Sequence, residues 1–222
     1  GQQGRLIADR TQFYAEAGGE IGDVGTITWD GGTAEVLTTT AEGDGCVLHQ
    51  VKVAEGNLNT GIDAEFTVNP QTRRDTEANH SATHLLHAAL RDVLGEHVKQ
   101  ARSLVTQDRL RFDFTHFSAL QPDEVNSIEA RVNDQIRENR PVGTKIVGRE
   151  EAFGEGAMAL FGEKYGESVR VVTIDPISKE LCGGTHVEAT GNIGIFKIVS
   201  EGGIAAGVRR IEAVTGRKAV EI

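Results

Sequence analysis

His80 and His84 stand four residues apart in a stretch of helical periodicity, and Cys182 and His186 stand four apart around Gly183, Gly184 and Thr185, roughly a hundred residues downstream. On a helix, side chains four apart leave the same face, so the first pair can reach one point in space. In the second pair the glycines let the chain turn both side chains back toward a common point. Three imidazoles and one thiolate are borderline-soft donors of the kind zinc takes in tetrahedral sites, at bond lengths of about 2.0–2.3 Å. Each of these residues alone has an ordinary structural explanation, a polar helix face or a small buried thiol. Together they predict a zinc ion held by His80, His84, Cys182 and His186, and any fold of this chain must then bring the middle of a helix against a distant glycine loop. His87 lies seven after His80 on the same stripe and is expected to support the site or the helix rather than to bind the ion.

The pattern also excludes two common zinc architectures. A metalloprotease helix carries its general-base glutamate directly after the first histidine, where this chain has Ser81. A zinc finger takes its ligands from a compact local unit, whereas these come from an amphipathic helix and a remote loop. No Ser-centred nucleophile motif and no carboxylate pair stands out near the donors, so a covalent intermediate is not indicated.

The hydrophobic period changes at Pro70. Before it, short alternating segments at 25–29, 34–38, 46–51 and 64–68 are separated by glycines, which predicts a small antiparallel β-barrel over residues 1–70. After it, Ala82, Leu85, Leu86, Ala89, Leu90 and Val93 recur at helical spacing, predicting a helix from a cap at Thr76 to Leu94, ended by Gly95. A second helix is expected over 122–139 with Pro122 in its first turn, and strands near 109–114, 142–147, 169–174, 193–199 and 208–214. The expected class is therefore α+β, a second domain over 71–222 packing its helices on an antiparallel sheet.

Charge bounds the partners. The formal net charge is −10, which argues against gripping a long nucleic acid through counterion release alone. Residues 1–70 hold three basic and eleven acidic side chains, so the remainder is close to neutral and any RNA contact should be local, through pairs such as Arg73 and Arg74, Lys99 and Arg102, Arg109 and Arg111, or Arg209 and Arg210. With two cysteines far apart, a disulfide scaffold is not expected and a reducing cytoplasm is. No apolar run approaches membrane-span length. The absence of an initiator Met favours a piece of a longer chain.

Thr11-Gln-Phe-Tyr14 followed by Ala17-Gly-Gly-Glu20 and Asp23, His80-Ser-Ala-Thr-His84, His97-Val-Lys-Gln100, Cys182-Gly-Gly-Thr-His186 and the closing 201–211 stretch together resemble the editing domain of alanyl-tRNA synthetase and its freestanding relatives. The resemblance runs from about Leu6 to the C-terminus. It implies a proofreading hydrolase that removes serine, and to a lesser extent glycine, from alanine tRNA. The physical need is that an alanine pocket cannot reject glycine, which is smaller, or serine, which adds one hydroxyl, so a second site corrects the product. The resemblance implies zinc as cofactor on the same four ligands, with Cys182 part of the catalytic centre. Thr83 and Gln100 would lie near the substrate, Gln100 reading the serine hydroxyl; Thr11, Gly18, Gly19, Arg209 and Arg210 would contact the substrate or the tRNA acceptor end. In the longer protein, aminoacylation and C-terminal domains would be linked to it. Two positions depart from the family pattern, Glu20 where glutamine is usual and Arg102 where glycine is usual. The other readings are a threonyl-tRNA editing domain, which shares the ligand pattern, and a zinc-stabilised RNA-binding module without chemistry.

Overall fold

Residues 2–43, 45–159 and 166–222 are described in a computed structural model of the chain. The glycine-punctuated N-terminal segments form strands β1 (Gln3–Ile7), β2 (Gly25–Trp29), β3 (Gly32–Glu42), β4 (Cys46–Glu55) and β5 (Glu65–Val68). They pair antiparallel in the order β1-β4-β3-β2-β5. Alternation places Ile27, Ala34, Val36 and Val51 on one side, where they bury together with Phe13. The expected barrel closure is not found: among the described residues β1 does not pair with β5. Those edge strands are only five and four residues long, and the segments after β1 and before β5 line an open cleft of about 970 Å³ between them, with Leu6, Thr11, Leu58 and Phe66 in its wall.

Helix α1 (Pro70–Leu94) starts earlier than the Thr76 cap predicts. Asn69 is the cap: its side-chain oxygen accepts from the backbone N–H of Gln71 at 3.0 Å and of Thr72 at 3.1 Å, and Pro70 occupies the first turn, where no backbone donor is needed. Thr76 instead donates its hydroxyl to the Thr72 carbonyl inside the helix. From Ala78 to Leu90 the helix is buried on every side. It runs through the centre of the chain, against α2 (Pro122–Arg137), β6 (Gln100–Val105), β7 (Leu110–Thr115), β10 (Ser178–Leu181) and β12 (Val208–Thr215). Leu85, Leu86 and Leu90 meet Phe112, Phe114, Ile128, Val132 and Ile211 there.

Two further antiparallel sheets complete an α+β architecture. One has the order β11-β12-β7-β6, with β11 spanning Phe196–Ala205; the other is β10-β9-β8, built from β8 (Gly143–Gly148), β9 (Ser168–Ile174) and β10. Short helices α3 (Arg149–Gly154) and α4 (Gly216–Val220) fill edges. The strand expected from residue 193 begins at Phe196, because residues 190–193 form a 3-10 turn ended by Gly194 at φ 81°. The polar strand β6 and the four-residue β10 carry no alternating apolar signal and are not among the predicted strands; both prove to flank the site.

The capping geometry predicts that Asn69→Ala lowers the unfolding free energy by about 1 kcal/mol. A urea titration reads this directly; an unchanged midpoint would mean that the cap contributes nothing.

Candidate metal centre

The core stretch of α1 carries Asn79, His80, Ser81, Thr83, His84 and His87, all buried. Buried polar groups must find partners, and for three of the histidines the partners lie on β10 and the loop that follows it. His80, His84, Cys182 and His186 offer four donor atoms that all lie within 4.8 Å of one another. Cys182 Sγ is 3.5 Å from His80 Nε2 and 3.4 Å from His186 Nε2. Donors about 2.0–2.3 Å from a central zinc stand about 3.3–3.8 Å apart along the edges of a tetrahedron, so the two sulfur–nitrogen separations fit a four-coordinate ion.

Each imidazole also has an outer neighbour for its second nitrogen. His80 Nδ1 donates to Glu20 Oε2 at 2.5 Å, and His186 Nδ1 donates to Ser81 Oγ at 3.0 Å, while Ser81 Oγ accepts the Val187 backbone N–H as well. His84 Nδ1 lies 3.3 Å from Glu180 Oε2, an ion-pair contact without hydrogen-bond geometry. His87 stands outside the donor group and donates Nδ1 to Glu180 Oε1 at 3.0 Å. With Nδ1 directed outward on His80 and His186, Nε2 is left to face the thiol, which is how outer partners orient metal-binding imidazoles.

The loop is shaped for this approach. A Cβ at Gly184 would collide with the His80 ring and the Glu20 carboxylate, so only glycine fits. Arg170 on β9 braces the loop by donating to the carbonyls of Cys182, at 3.0 Å, and Gly184, at 2.6 Å. Electrostatically the donors are strongly coupled. Burial opposes a charged His80, but the Cys182 sulfur and the Glu20 carboxylate outweigh it and push its pKa up to about 10. Burial and the neighbouring His80 charge push His186 down to about 3. Burial would raise the Cys182 thiol, yet the His80 charge and the surrounding imidazole hydrogen bonds hold it well below its ordinary range.

Beside the donors is a small pocket of about 110 Å³. Its walls include His80, Thr83 and His84 from α1, Gln100 and Ser103 from β6, and Tyr14, Ala17 and Gly18 from the segment between β1 and β2.

The family models agree with this layout. One described as "Threonyl and Alanyl tRNA synthetase second additional domain" matches residues 169–212, which include Cys182 and His186. Another, described as "tRNA synthetases class II (A)", matches residues 1–72. Similar curated proteins are the alanine–tRNA ligases of Thermus thermophilus, 55% identical over 226 residues, and of Desulfosudis oleivorans, 53% identical over 220, each alignment covering 99% of this chain. That of Methylococcus capsulatus is 52% identical over 221 residues, covering 100% of it. This chain belongs to the alanine–tRNA ligase family. It spans about a quarter of the length of the curated relatives it matches.

Within this member of the alanine–tRNA ligase family, the structure gathers His80, His84, Cys182, Thr83, Gln100 and Gly18 around one pocket, with Gly19 next to it in the turn; His186 joins the donor group without lining the pocket. The remaining predicted contacts lie elsewhere. Thr11 hydrogen-bonds His49 at 2.9 Å and lines the N-terminal cleft. Arg209 is paired in a two-point contact with Glu201, and Arg210 with Asp113, along the β11-β12-β7 sheet. Neither arginine lines the pocket. Sequence reasoning missed Glu180 and Ser81 as outer partners, and saw Glu20 only as a departure from the family pattern. A buried carboxylate in a glycine turn has no periodic signal by which to find it. No helix among the described residues is long and apolar enough to cross a membrane.

A proton on His80 must leave before its Nε2 can bind a cation. With the His80 pKa raised to about 10, zinc binding at pH 7.5 is expected to release at least one proton, and affinity should rise with pH by about tenfold per unit until the solution passes that value. Zinc titrations in weakly buffered solution, with a pH indicator, test both; proton-free binding at constant affinity would contradict the coupling.

Proposed function

We propose that this chain hydrolyses the ester of mischarged alanine tRNA, releasing serine and, more slowly, glycine, with zinc as its cofactor. The observation that carries the reading is that Thr83 and Gln100 share one small pocket with a metal-type donor set. Its volume of about 110 Å³ suits a small aminoacyl group. The proposed partner is the acceptor end of alanine tRNA, in the cytoplasm, delivered by aminoacylation and C-terminal domains of the longer protein.

His80, His84, Cys182 and His186 would hold the zinc, which would supply a fixed positive charge to orient the ester. The protein side chains do the rest. Cys182 has its sulfur among the donors and so serves as a ligand, not a nucleophile. Thr83 Oγ1 donates to the Asn79 carbonyl at 2.8 Å, which leaves its lone pairs as acceptors toward the pocket, suited to an aminoacyl ammonium or an attacking water. Gln100, whose Nε2 lies 3.4 Å from Ser103 Oγ, can shift that amide to a serine hydroxyl. An alanyl ester lacks the hydroxyl that this amide would bind, and so forgoes a hydrogen bond worth about 0.5–1.5 kcal/mol. Water adds to the ester carbonyl, the bond to the ribose oxygen breaks, and the ribose hydroxyl and the free amino acid leave. Holding water and ester together in a confined pocket is the main source of rate.

The test is deacylation of seryl-, glycyl- and alanyl-alanine tRNA, with seryl-threonine tRNA as comparison. Release of serine from alanine tRNA should be fastest, and Gln100→Ala should slow it by roughly one to two orders of magnitude while sparing zinc content. Preference for threonine tRNA would favour a threonyl-editing role; RNA binding with hydrolysis at background would favour a module without chemistry.

A further inference from the structure

We infer that Glu20 is a positioning residue that fastens the roof of the pocket to the metal centre while fixing His80 with its Nε2 toward the other donors. This rests on reading the four-donor group as a zinc site. Glu20 is 1% exposed, although it lies in a connecting segment rather than in a strand or helix. It reaches the interior through a turn in which Gly18 and Gly19 take φ 59° and 89°. Around that turn the segment attaches to the edge of β6: Ile21 N–H donates to the Val105 carbonyl at 3.1 Å, and Val105 N–H donates to the Gly19 carbonyl at 2.7 Å.

The carboxylate then reaches two other parts of the chain through three hydrogen bonds. It accepts from His80 Nδ1 on α1 at 2.5 Å, from the Thr185 backbone N–H at 2.8 Å, and from the Thr185 hydroxyl at 2.5 Å. Thr185 lies between Cys182 and His186. One buried group thus contacts both donor-bearing elements, and its own backbone carries Tyr14, Ala17 and Gly18, the roof of the pocket. Burying a carboxylate is costly unless it is fully hydrogen-bonded, and these three donors meet that requirement. A buried residue serving only to fill space would need neither the charge nor this set of partners.

Glutamine at this position separates the two contributions. Its single carbonyl oxygen can keep the His80 and Thr185 N–H bonds, and the Thr185 hydroxyl can turn to accept from its NH₂ group, so the bridge survives and the charge is lost. Alanine loses both. The intact chain and its Glu20→Gln and Glu20→Ala variants are to be compared by chelator competition for zinc, by the absorption bands of the cobalt-substituted site, and by hydrogen exchange at the Val105 amide with and without zinc. Zinc should bind about tenfold more weakly in Glu20→Gln and about a hundredfold more weakly in Glu20→Ala. The cobalt bands should shift in both. Zinc should slow Val105 exchange in the wild type and in Glu20→Gln, and no longer do so in Glu20→Ala. Wild-type zinc affinity in either variant overturns the inference, and if Glu20→Ala does not fold, Glu20→Gln decides it. Failure of the wild-type chain to bind zinc would instead overturn the zinc reading itself.

Discussion

The central helix α1 is buried over a stretch that contains Asn79, His80, Ser81, Thr83, His84 and His87 as well as its alanines and leucines. Each buried polar group left without a partner costs about 1–3 kcal/mol, and a whole domain is stable by only about 5–15 kcal/mol. Such a helix cannot be held by apolar packing alone. Asn79 resolves its part by donating to the Thr106 carbonyl and accepting from the Thr215 hydroxyl, both at 2.8 Å. His80, His87 and Ser81 find hydrogen bonds among Glu20, Glu180, Cys182 and His186, while His84 Nδ1 and His87 Nε2 make none, so the surroundings of the candidate metal site are also the terms on which the helix is buried.

This dependence explains the placement of the other elements. The β10 strand is short, yet it brings Glu180 to His87 and ends where Cys182 begins. Strand β6 is polar because one end, at Gln100 and Ser103, lines a pocket, while its other end at Val105 receives the segment that carries Glu20. Asp23, later in that segment, accepts from the Tyr14 backbone N–H at 2.6 Å and pairs with Arg73 in the first turns of α1. The N-terminal segment therefore grips the helix at two points, near its start and at His80.

Legibility in the sequence followed the strength of periodic signals. The leucine and alanine spacing of α1, the apolar stripe of α2 and the strand segments at 25–29 and 208–214 were readable because each buries one defined face. Thr76 is an acceptable cap in isolation, but Asn69 with Pro70 caps better and starts α1 earlier, at Pro70. Regular strand spacing predicts barrel closure, but closure depends on the edge strands being long enough to meet, which spacing does not reveal. Arg209 and Arg210 are expected from the sequence to contact RNA; each also has a carboxylate partner on a neighbouring strand, Glu201 and Asp113, which only strand pairing brings to it.

The sequence by itself determined the donor chemistry, three imidazoles and a thiolate in two close pairs, because ligand type and local spacing are properties of residues near one another in the chain. Only the tertiary structure decided which groups stand behind those donors and which line the pocket. Glu20 and His80 are sixty positions apart and Glu180 and His87 ninety-three. Such contacts are set by how sheets and helix pack rather than by any local period, so no pattern along the chain records them.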